Sequence, residues 1–578
     1  MKKLFLDFTK YMCLFPLILI ITLSSCGGGG DNDSATPKPG WTIMVYMAAD
    51  NDLSLYVNYD LNEMAYGIKD NSNVTIIALC DKDNSNDTKL YKIKHNDSNF
   101  TFSSEQLFDA TLGVTSNSSE LNMGDPQTLS NFIDFCKNNY PADNYALILW
   151  NHGGGWRNKM PRRISVNDID TIKQLIVSKK YNQSSKSLSS LFIQKTTSPV
   201  KAVCWDETSG DDPLTMAEVK QAVNGKGLTL IGFDACLMGM VEVAYQLKDC
   251  AQYMVASEEI IPAFGWAYDY MLEHFYASSQ TPVDLGKAII NGYIESYEGS
   301  GEAVTLSLVD LTKMDALANA IDTLSNSLIS QSNKNSITAA RHKTLSFYVP
   351  HYIDVYHFAQ NASSFAGATQ VMEAVNNAVL YHRYLDDTGE FGFDNSHGLS
   401  IYFPLAIDSK YGCYDDEYPD YTSINIDFAT KNWKFFINSF YANTQYYTIE
   451  TFQNTHYNDD ADTYIVLFYK FKDYLIYLDE NDDIDFDNDN FYSRIRFPLG
   501  PGINYYILSL DIGDTRYYSI IANETGSGYP DESLYPENNE GLEEFDKALQ
   551  IFYNTTANLC LNYEDDCDWM FINDIPTN

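Results

Sequence analysis

Short apolar runs alternate with helical patterns through most of the chain. Residues 41–47, 74–80, 145–150 and 228–233 are runs rich in apolar and β-branched side chains. Runs of roughly four to eight such residues are typical of strands buried on both faces of a parallel sheet. Apolar residues at helical spacing lie between them, as in 129–137 and 240–247. This alternation predicts βαβ units, and hence an α/β fold with a mostly parallel sheet.

Candidate chemistry lies where two of these strands end. Asp234 and Cys236 follow the run 228–233, and His152 follows the run 145–150. Because parallel strands present their carboxyl ends at one edge of a sheet, we expect the imidazole and the sulfur at neighbouring strand ends. That pair suits nucleophilic thiol chemistry. The alternative interpretation is a core histidine and an inert buried thiol.

The pair can supply the groups that peptide cleavage needs. A nearby imidazole and the amino end of the following helix would favour the Cys236 thiolate. His152 can protonate the departing amine. Gly153 has no side chain, so its amide can point at the oxyanion together with the Cys236 amide.

Five motifs in the same order resemble the signatures of the clostripain family of cysteine peptidases. They are W-T-I-M-V-Y-M-A-A-D-N-D-L from Trp41, A-L-I-L-W-N-H-G-G-G-W from Ala146, G-F-D-A-C-L-M-G-M-V-E-V-A-Y from Gly232, V-A-S-E-E from Val255 with the pair Gly265-Trp266, and H-G-L-S-I-Y-F-P from His397. The resemblance spans residues 41–440 and implies a caspase-like αβα sandwich. It also implies a cysteine endopeptidase with His152 and Cys236 as the catalytic dyad.

The resemblance bears on specificity as well. Asp234 matches the family acid that lines the pocket for the residue before the cut bond, and a carboxylate there would pair with Arg or Lys. Phe264 stands where basic-specific relatives often carry a second acid, and an apolar ring would weaken that selection. We expect a preference for basic residues. The alternative is that Asp234 caps the Cys236 turn through local backbone bonds.

Charge and motif content exclude several other functions. The chain has 38 basic and 78 acidic side chains, a net charge of −40, which repels nucleic acid. We therefore expect no nucleic-acid partner, and a protein or peptide substrate. The sequence contains no H-E-x-x-H, nucleophile elbow or phosphate loop, and His351 and His357 lack a third metal ligand. No metal site is predicted from these patterns.

The N-terminus resembles that of a bacterial lipoprotein. Lys2 and Lys3 precede an apolar stretch at 11–22 and then Leu-Ser-Ser before Cys26. We expect residues 1–25 to be a signal peptide, Cys26 to carry lipid, and residues 26–40 to form a flexible tether. The protein would then be exported and anchored to the cell envelope, at the outer membrane or cell surface. The alternative is an ordinary secretory signal with a chance cysteine.

Two further regions differ in amino-acid composition and pattern from residues 41–440. Residues 157–201 carry ten basic side chains, and they form either a site of activating cleavage, as in some relatives, or a surface loop.

Residues 445–578 contain short aromatic and β-branched runs, which predict an antiparallel β-domain of sandwich type. Their segment 479–490 resembles a calcium loop, but no register supplies both the glycine and the glutamate, so a solvated hairpin tip is favoured over an irregular Ca²⁺ site. Calcium dependence occurs in the family without mapping onto residues here.

Two functions remain open from the sequence. The first is a monomeric, lipid-anchored cysteine endopeptidase with an accessory β-domain. The second is a catalytically silent or weakly active surface protein that uses the peptidase fold and the β-domain to bind a protein or glycan.

Overall fold

The computed structural model describes residues 40–70, 72–97, 102–156, 203–210, 212–331, 333–386, 389, 391–404 and 426–441, together with the backbone of β6 and of the strands after residue 445. In chain order, the strands are β1 (Trp41–Ala48), β2 (Val74–Asp81), β3 (Lys89–Lys94), β4 (Ser103–Leu107), β5 (Asn144–Trp150), β6 (Arg163–Ser165), β7 (Val203–Asp206), β8 (Asp212–Leu214), β9 (Leu228–Asp234), β10 (Ala251–Ala256), β11 (Val304–Asp310), β12 (Tyr352–Asp354), β13 (Val379–Leu385), β14 (Ser400–Tyr402), β15 (Tyr446–Gln453), β16 (Thr463–Phe471), β17 (Tyr474–Asn481), β18 (Arg494–Phe497), β19 (Tyr505–Asp511), β20 (Tyr518–Thr525) and β21 (Cys567–Ile572). The α-helices are α1 (Val57–Gly67), α2 (Pro126–Asn139), α3 (Met216–Val223), α4 (Val241–Leu247), α5 (Tyr268–Tyr276), α6 (Pro282–Tyr297), α7 (Met314–Gln331), α8 (Lys334–Lys343), α9 (Val355–Asn361), α10 (Ala368–Ala378) and α11 (Asn432–Tyr441).

A nine-stranded mixed sheet is the central layer, with the order β13-β11-β10-β9-β5-β1-β2-β3-β4. Strands β10, β9, β5, β1 and β2 run parallel, and the strands at both edges are antiparallel. The register pairs Trp150 with Asp234, and Ala48 with Asp81. The carboxyl ends of β1, β2, β5 and β9 therefore meet at one edge of the sheet.

Both faces of this sheet are covered by helices, which explains why its strands read as continuous apolar runs. On one face, Met44, Leu147 and Ile231 belong to a core that includes α2, α3, α4 and α7. On the other face, Ile148 and Leu230 pack with α1, α5 and α6. Burial of each such side chain stabilises the folded state by roughly 1.5–3 kcal/mol. The three layers confirm the predicted α/β sandwich with a mostly parallel sheet.

Local capping residues determine where two helices of these layers begin. Before α3, the Thr215 hydroxyl accepts from the Glu218 amide, and the Thr215 amide donates to the Glu218 carboxylate in return. Thr281 and Asp284 form the same capping box before α6. Each such cap stabilises its helix by roughly 1 kcal/mol, so both helices start directly after the capping threonine.

The strands after residue 445 form two antiparallel sheets, β18-β15-β20 and β21-β19-β16-β17-β6. Their pairing confirms the predicted antiparallel β-structure, and β6 reaches β17 from the basic segment. The face-to-face packing of a sandwich remains a prediction. Cys26 and residues 1–39 lie outside the described residues, as does 157–201 apart from β6. None of the helices described has the length and apolar character needed to cross a membrane.

Candidate active site

Cys236 lies in the tight turn that follows β9. Its sulfur accepts a hydrogen bond from the Ile261 amide at 3.3 Å and lies 3.6 Å from the Ile261 carbonyl oxygen. The next residue, Leu237, is fully buried with φ of 62°, a left-handed conformation that is costly for a leucine. Backbone strain of this kind is often stored at functional sites, where the surrounding packing holds it in place.

The environment of the Cys236 sulfur keeps the thiol protonated at neutral pH. Burial raises the pKa of Cys236 to about 11, although the Ile261 and Gly153 amides act in the opposite direction. Helix α4 begins at Val241. The raised pKa favours the thiol over the expected thiolate, so a base must accept the proton.

Gly153 brings the loop after β5 into direct contact with the Cys236 turn. A side-chain Cβ at Gly153 would lie 2.4 Å from the Cys236 carbonyl oxygen and 3.1 Å from the Cys236 amide nitrogen. Distances this short exclude any residue other than glycine without a backbone shift. The loop that carries His152 is thus held against the backbone of Cys236.

His152 is held from two sides at this edge. Its Nε2 lies 2.6 Å from Oδ1 of Asp52, and its ring stacks on Trp205 with centroids 4.7 Å apart. The hydrogen bond to His152 lowers the pKa of Asp52, which favours the carboxylate. Because Asp52 occupies Nε2, Nδ1 is the nitrogen left for proton transfer.

Two asparagine side chains join the loops that carry these partners. Asn51 donates to the carbonyl oxygens of Ala48 and Trp205, each at 3.3 Å. Asn151 donates to the same two carbonyl groups and accepts from the His152 amide. The ends of β1, β5 and β7 are therefore tied together around the histidine.

Asp234 is buried beneath the Cys236 turn with one carboxylate oxygen unpaired. It is 3% exposed, and its Oδ2 accepts from the Trp266 amide at 3.1 Å and the Tyr268 hydroxyl at 3.0 Å. Its Oδ1 is buried and accepts no hydrogen bond from any described residue. These contacts do not cap the Cys236 turn, which was the alternative interpretation of Asp234.

Comparison with known proteins assigns the family. A model of the clostripain family, peptidase family C11, matches residues 45–180 and 189–467, more than half of the chain. The chain belongs to the clostripain family. Clostripain from Hathewaya histolytica is 29% identical over 460 residues, which cover 68% of this chain and 78% of that protein.

Solved structures of C11 proteases are also similar. A secreted C11 cysteine protease from Bacteroides thetaiotaomicron, in complex with an irreversible peptide inhibitor, is 20% identical with a TM-score of 0.47 and covers 64% of this chain and 94% of its own. An inactive zymogen C11 protease from Parabacteroides distasonis is 22% identical with a TM-score of 0.43 and covers 64% of this chain and 93% of its own. The family match confirms the prediction of a cysteine peptidase, a hydrolase of the clostripain type with protein or peptide substrates.

A second buried acid of this clostripain-family peptidase lies near Asp234. Asp60 of α1 is fully buried, and its Oδ2 accepts from the Trp150 indole N–H at 2.5 Å. Its Oδ1 has no hydrogen-bond partner among the described residues. Burial, reinforced by Asp234, raises the pKa of Asp60 well above its usual range. Burial raises the pKa of Asp234 to about 7.

Phe264 lies at an exposed rim next to Gly265. Its side chain is 55% exposed, and its ring contacts Tyr56 and Tyr59 edge-on, with centroids 5.3 Å and 5.4 Å away. Gly265 has φ of 61°, and a Cβ there would lie 3.0 Å from Asp234 Oδ2. The clostripain-family peptidase therefore has an aromatic rim at Phe264, the position where basic-specific relatives often carry a second acid.

Several residues of the site were missed by sequence reasoning. Asp52 lies in the acidic turn after β1, which was visible as a pattern but not as a partner of His152. Trp205 and Asp60 carry no local signal for their contacts with the site. His397 pairs with Asp354 at 3.2 Å, and Asp354 lies in β12, which pairs with β14.

Proposed function

We propose that this protein is an endopeptidase that cleaves peptide bonds with Cys236 as nucleophile and His152 as general acid and base, preferring Arg or Lys before the cut bond. The observation that carries the proposal is the alignment of two adjacent parallel strands. Trp150 pairs with Asp234, so His152 and Cys236 each lie two residues beyond the same register position.

The proposed reaction begins with a neutral thiol. Cys236 gives its proton to Nδ1 of His152 as the sulfur attacks the scissile carbonyl carbon. The amides of Gly153 and Cys236 donate hydrogen bonds to the resulting oxyanion. His152 then protonates the leaving amine, the carbon–nitrogen bond breaks, and a thioester remains on Cys236. Water hydrolyses the thioester, releasing the carboxylic acid and restoring the thiol.

The proposed basic preference rests on the unpaired oxygens of Asp234 and Asp60. Two buried carboxyl groups without a described cationic partner are unfavourable in the free protein, and an incoming guanidinium or ammonium would compensate both. The Phe264 ring at the rim offers an apolar face to the methylene stem of that side chain, and a guanidinium can stack on such a ring. In this proposal Phe264 supports the selection of Arg or Lys. This differs from the sequence-based expectation that its apolar ring would weaken that selection.

A panel of fluorogenic peptides that differ only before the cut bond tests this proposal. We expect the wild-type protein to cleave Arg and Lys peptides, and Asp234→Asn to lower kcat/KM for Arg by roughly 10²–10⁴-fold, because an uncompensated buried charge interaction costs about 3–5 kcal/mol. Cleavage after leucine should change far less. The ratio of the two kcat/KM values is the measurement.

The pH dependence provides an independent readout of the same residue. Burial raises the pKa of Asp234 to about 7, so the carboxyl is neutral below that pH and ionised above it. The Arg-to-Leu ratio should therefore rise as pH increases through about 7, and Asp234→Asn should abolish the rise. Asp269→Asn, which removes a nearby acid of α5, is the matched control and should behave like wild type. An unchanged ratio in Asp234→Asn would exclude this residue from selection, and no hydrolysis of any peptide would favour the binding-protein alternative.

We also propose that the protein is exported and held at the cell envelope by lipid on Cys26, through the tether at 26–40. Residues 41–440 would form the peptidase domain and residues 445–578 an accessory β-domain. The protein would act as a monomer. The residues Lys2 and Lys3, the apolar stretch 11–22 and the small residues before Cys26 support this. Cys26→Ser should move most of the protein from the membrane fraction to the soluble fraction of fractionated cells. Equal membrane retention of both forms would contradict the anchor.

A further inference from the structure

Four apolar side chains are grouped at the surface, at the start of α1 and at the rim that carries Phe264. Leu55 is 85% exposed, Tyr59 is 48% exposed and Phe264 is 55% exposed, and Tyr56 is partly buried. The Phe264 ring contacts the Tyr56 and Tyr59 rings edge-on, with centroids 5.3 Å and 5.4 Å away, and Leu55 directly precedes Tyr56. We call these four residues the apolar patch. Exposed apolar side chains that are grouped in this way are typical of binding sites, whereas single ones are common everywhere on a surface.

Contacts beneath the apolar patch fix its backbone and one of its rings. The Ser54 hydroxyl donates to Asp83 Oδ1 at 2.6 Å, which holds the turn before α1. Glu63 forms a hydrogen bond with the Tyr59 hydroxyl and accepts from the Tyr268 amide at 2.9 Å, which joins α1 to the start of α5. A surface whose side chains are ordered before binding loses less conformational entropy when a ligand arrives. The apolar patch is therefore preorganised for a ligand.

The apolar patch adjoins the proposed active site at two points. Asp52, the partner of His152, lies in the same 3₁₀ turn as Leu55. At the other end, the patch continues into Gly265, where a Cβ would lie 3.0 Å from Asp234 Oδ2. A peptide with its basic side chain at Asp234 and its scissile bond near His152 therefore lies alongside the patch.

We propose that the apolar patch is a substrate subsite that binds an aromatic or large aliphatic side chain of the peptide, in one of the two positions that flank the basic residue. The inference rests on the proposed function, because Asp234 and His152 set where the peptide lies. Aromatic rings pack edge-on or offset against one another, and the rings of the patch offer such surfaces. Packing of one further apolar side chain against them removes apolar area from water on both partners.

The charge next to the apolar patch determines which flanking side chains are disfavoured. The hydrogen bond to His152 lowers the pKa of Asp52, so this side chain is a carboxylate at neutral pH. It is 79% exposed and lies at one end of the patch. An acidic residue next to the basic one would meet this like charge and would gain nothing from the rings. Peptides with an acid at that position should therefore be the poorest substrates.

Hydrolysis of internally quenched peptides by the purified full-length protein tests the subsite. Each peptide has arginine before the cut bond, and Phe, Leu, Gly or Asp is placed either directly before that arginine or directly after the cut bond. We expect kcat/KM to be about 10–100-fold higher for Phe than for Gly at one of the two positions, with Leu between them and Asp lowest. Leu55→Ser and Tyr59→Ser should each lower the Phe-to-Gly ratio at that position by at least about five-fold.

The matched control is Phe108→Ser. Phe108 is another exposed ring, 52% exposed, and it directly follows β4 at the edge of the central sheet. Its replacement should leave the Phe-to-Gly ratio as in wild type. Leu55 is largely exposed, so Leu55→Ser keeps the inference testable if Tyr59→Ser does not fold.

The outcomes separate the subsite from the proposed function. Equal kcat/KM for Phe and Gly at both positions, or a wild-type ratio in Leu55→Ser, would overturn the subsite while cleavage after arginine stands. No cleavage of any peptide would contradict the proposed function itself, and the inference with it. If a second copy of the chain covered the apolar patch, wild type would sediment as a dimer that Leu55→Ser dissociates, and that result would also overturn the subsite.

Discussion

Replacement of Cys236 by alanine is expected to lower kcat/KM by roughly 10⁴–10⁶-fold for every peptide the protein cleaves. The sulfur is the atom that would form the thioester, and alanine leaves the surrounding backbone donors with no nucleophile to assist. The Ile261 and Gly153 amides that face the sulfur should stay in place, so the variant should still bind substrate. Initial rates at high enzyme concentration measure the loss.

The matched control is Cys250→Ala. Cys250 is another buried free thiol, 4% exposed, which follows α4 and precedes β10. Its loss should leave kcat/KM within about two-fold, since small buried substitutions act mainly on stability. Activity of Cys236→Ala within ten-fold of wild type, with the control also active, would remove Cys236 as the nucleophile.

Replacement of His152 by alanine is expected to lower kcat/KM for amide substrates by roughly 10³–10⁵-fold. The burial that raises the pKa of Cys236 to about 11 makes a proton acceptor necessary, and the leaving amine needs a proton donor. An ester substrate has a better leaving group and requires less protonation. The loss for esters should therefore be smaller, and the ratio of amide to ester rates measures the contribution of His152 as an acid.

The Asp52→Asn variant is the graded control for this histidine. The Asp52 side chain is 79% exposed, so solvent screens its charge, and asparagine can still accept a hydrogen bond from Nε2. We expect a loss of only about ten-fold in kcat/KM. If His152→Ala cost no more than Asp52→Asn, proton transfer by His152 would be contradicted.

The central sheet could be predicted from sequence because its signal is local. The apolar runs at 145–150 and 228–233 contain their own strand periodicity, and the polar residues directly after them must lie at the strand ends. That information was enough to expect His152 and Cys236 at one sheet edge, and in the structure they follow the ends of the adjacent strands β5 and β9. The ordered motifs added the clostripain resemblance, which the family match confirms.

The surroundings of the two residues could not be predicted in the same way. Asp52 meets His152 across 100 residues of sequence, and Tyr268 meets Asp234 across 34. Such contacts depend on how helices pack on the sheet and on the register between strands, neither of which leaves a periodic trace in the chain. The expectation of a Cys236 thiolate was wrong for this reason, because the burial that raises the pKa of the thiol depends on those packed layers.

The amino-acid sequence thus settles which residues can form buried strands and which reactive side chains follow them, since both depend on neighbours a few positions away. Folding decides which acids are buried with a carboxylate oxygen that no described residue satisfies. Asp60 approaches Asp234, and Asp81 approaches Asp50 and Glu120, only because packed layers bring distant segments together and exclude water from between them. The sequence determines which groups can carry a charge. The energetic cost of that charge arises from burial, and so do the ligands that would relieve the cost.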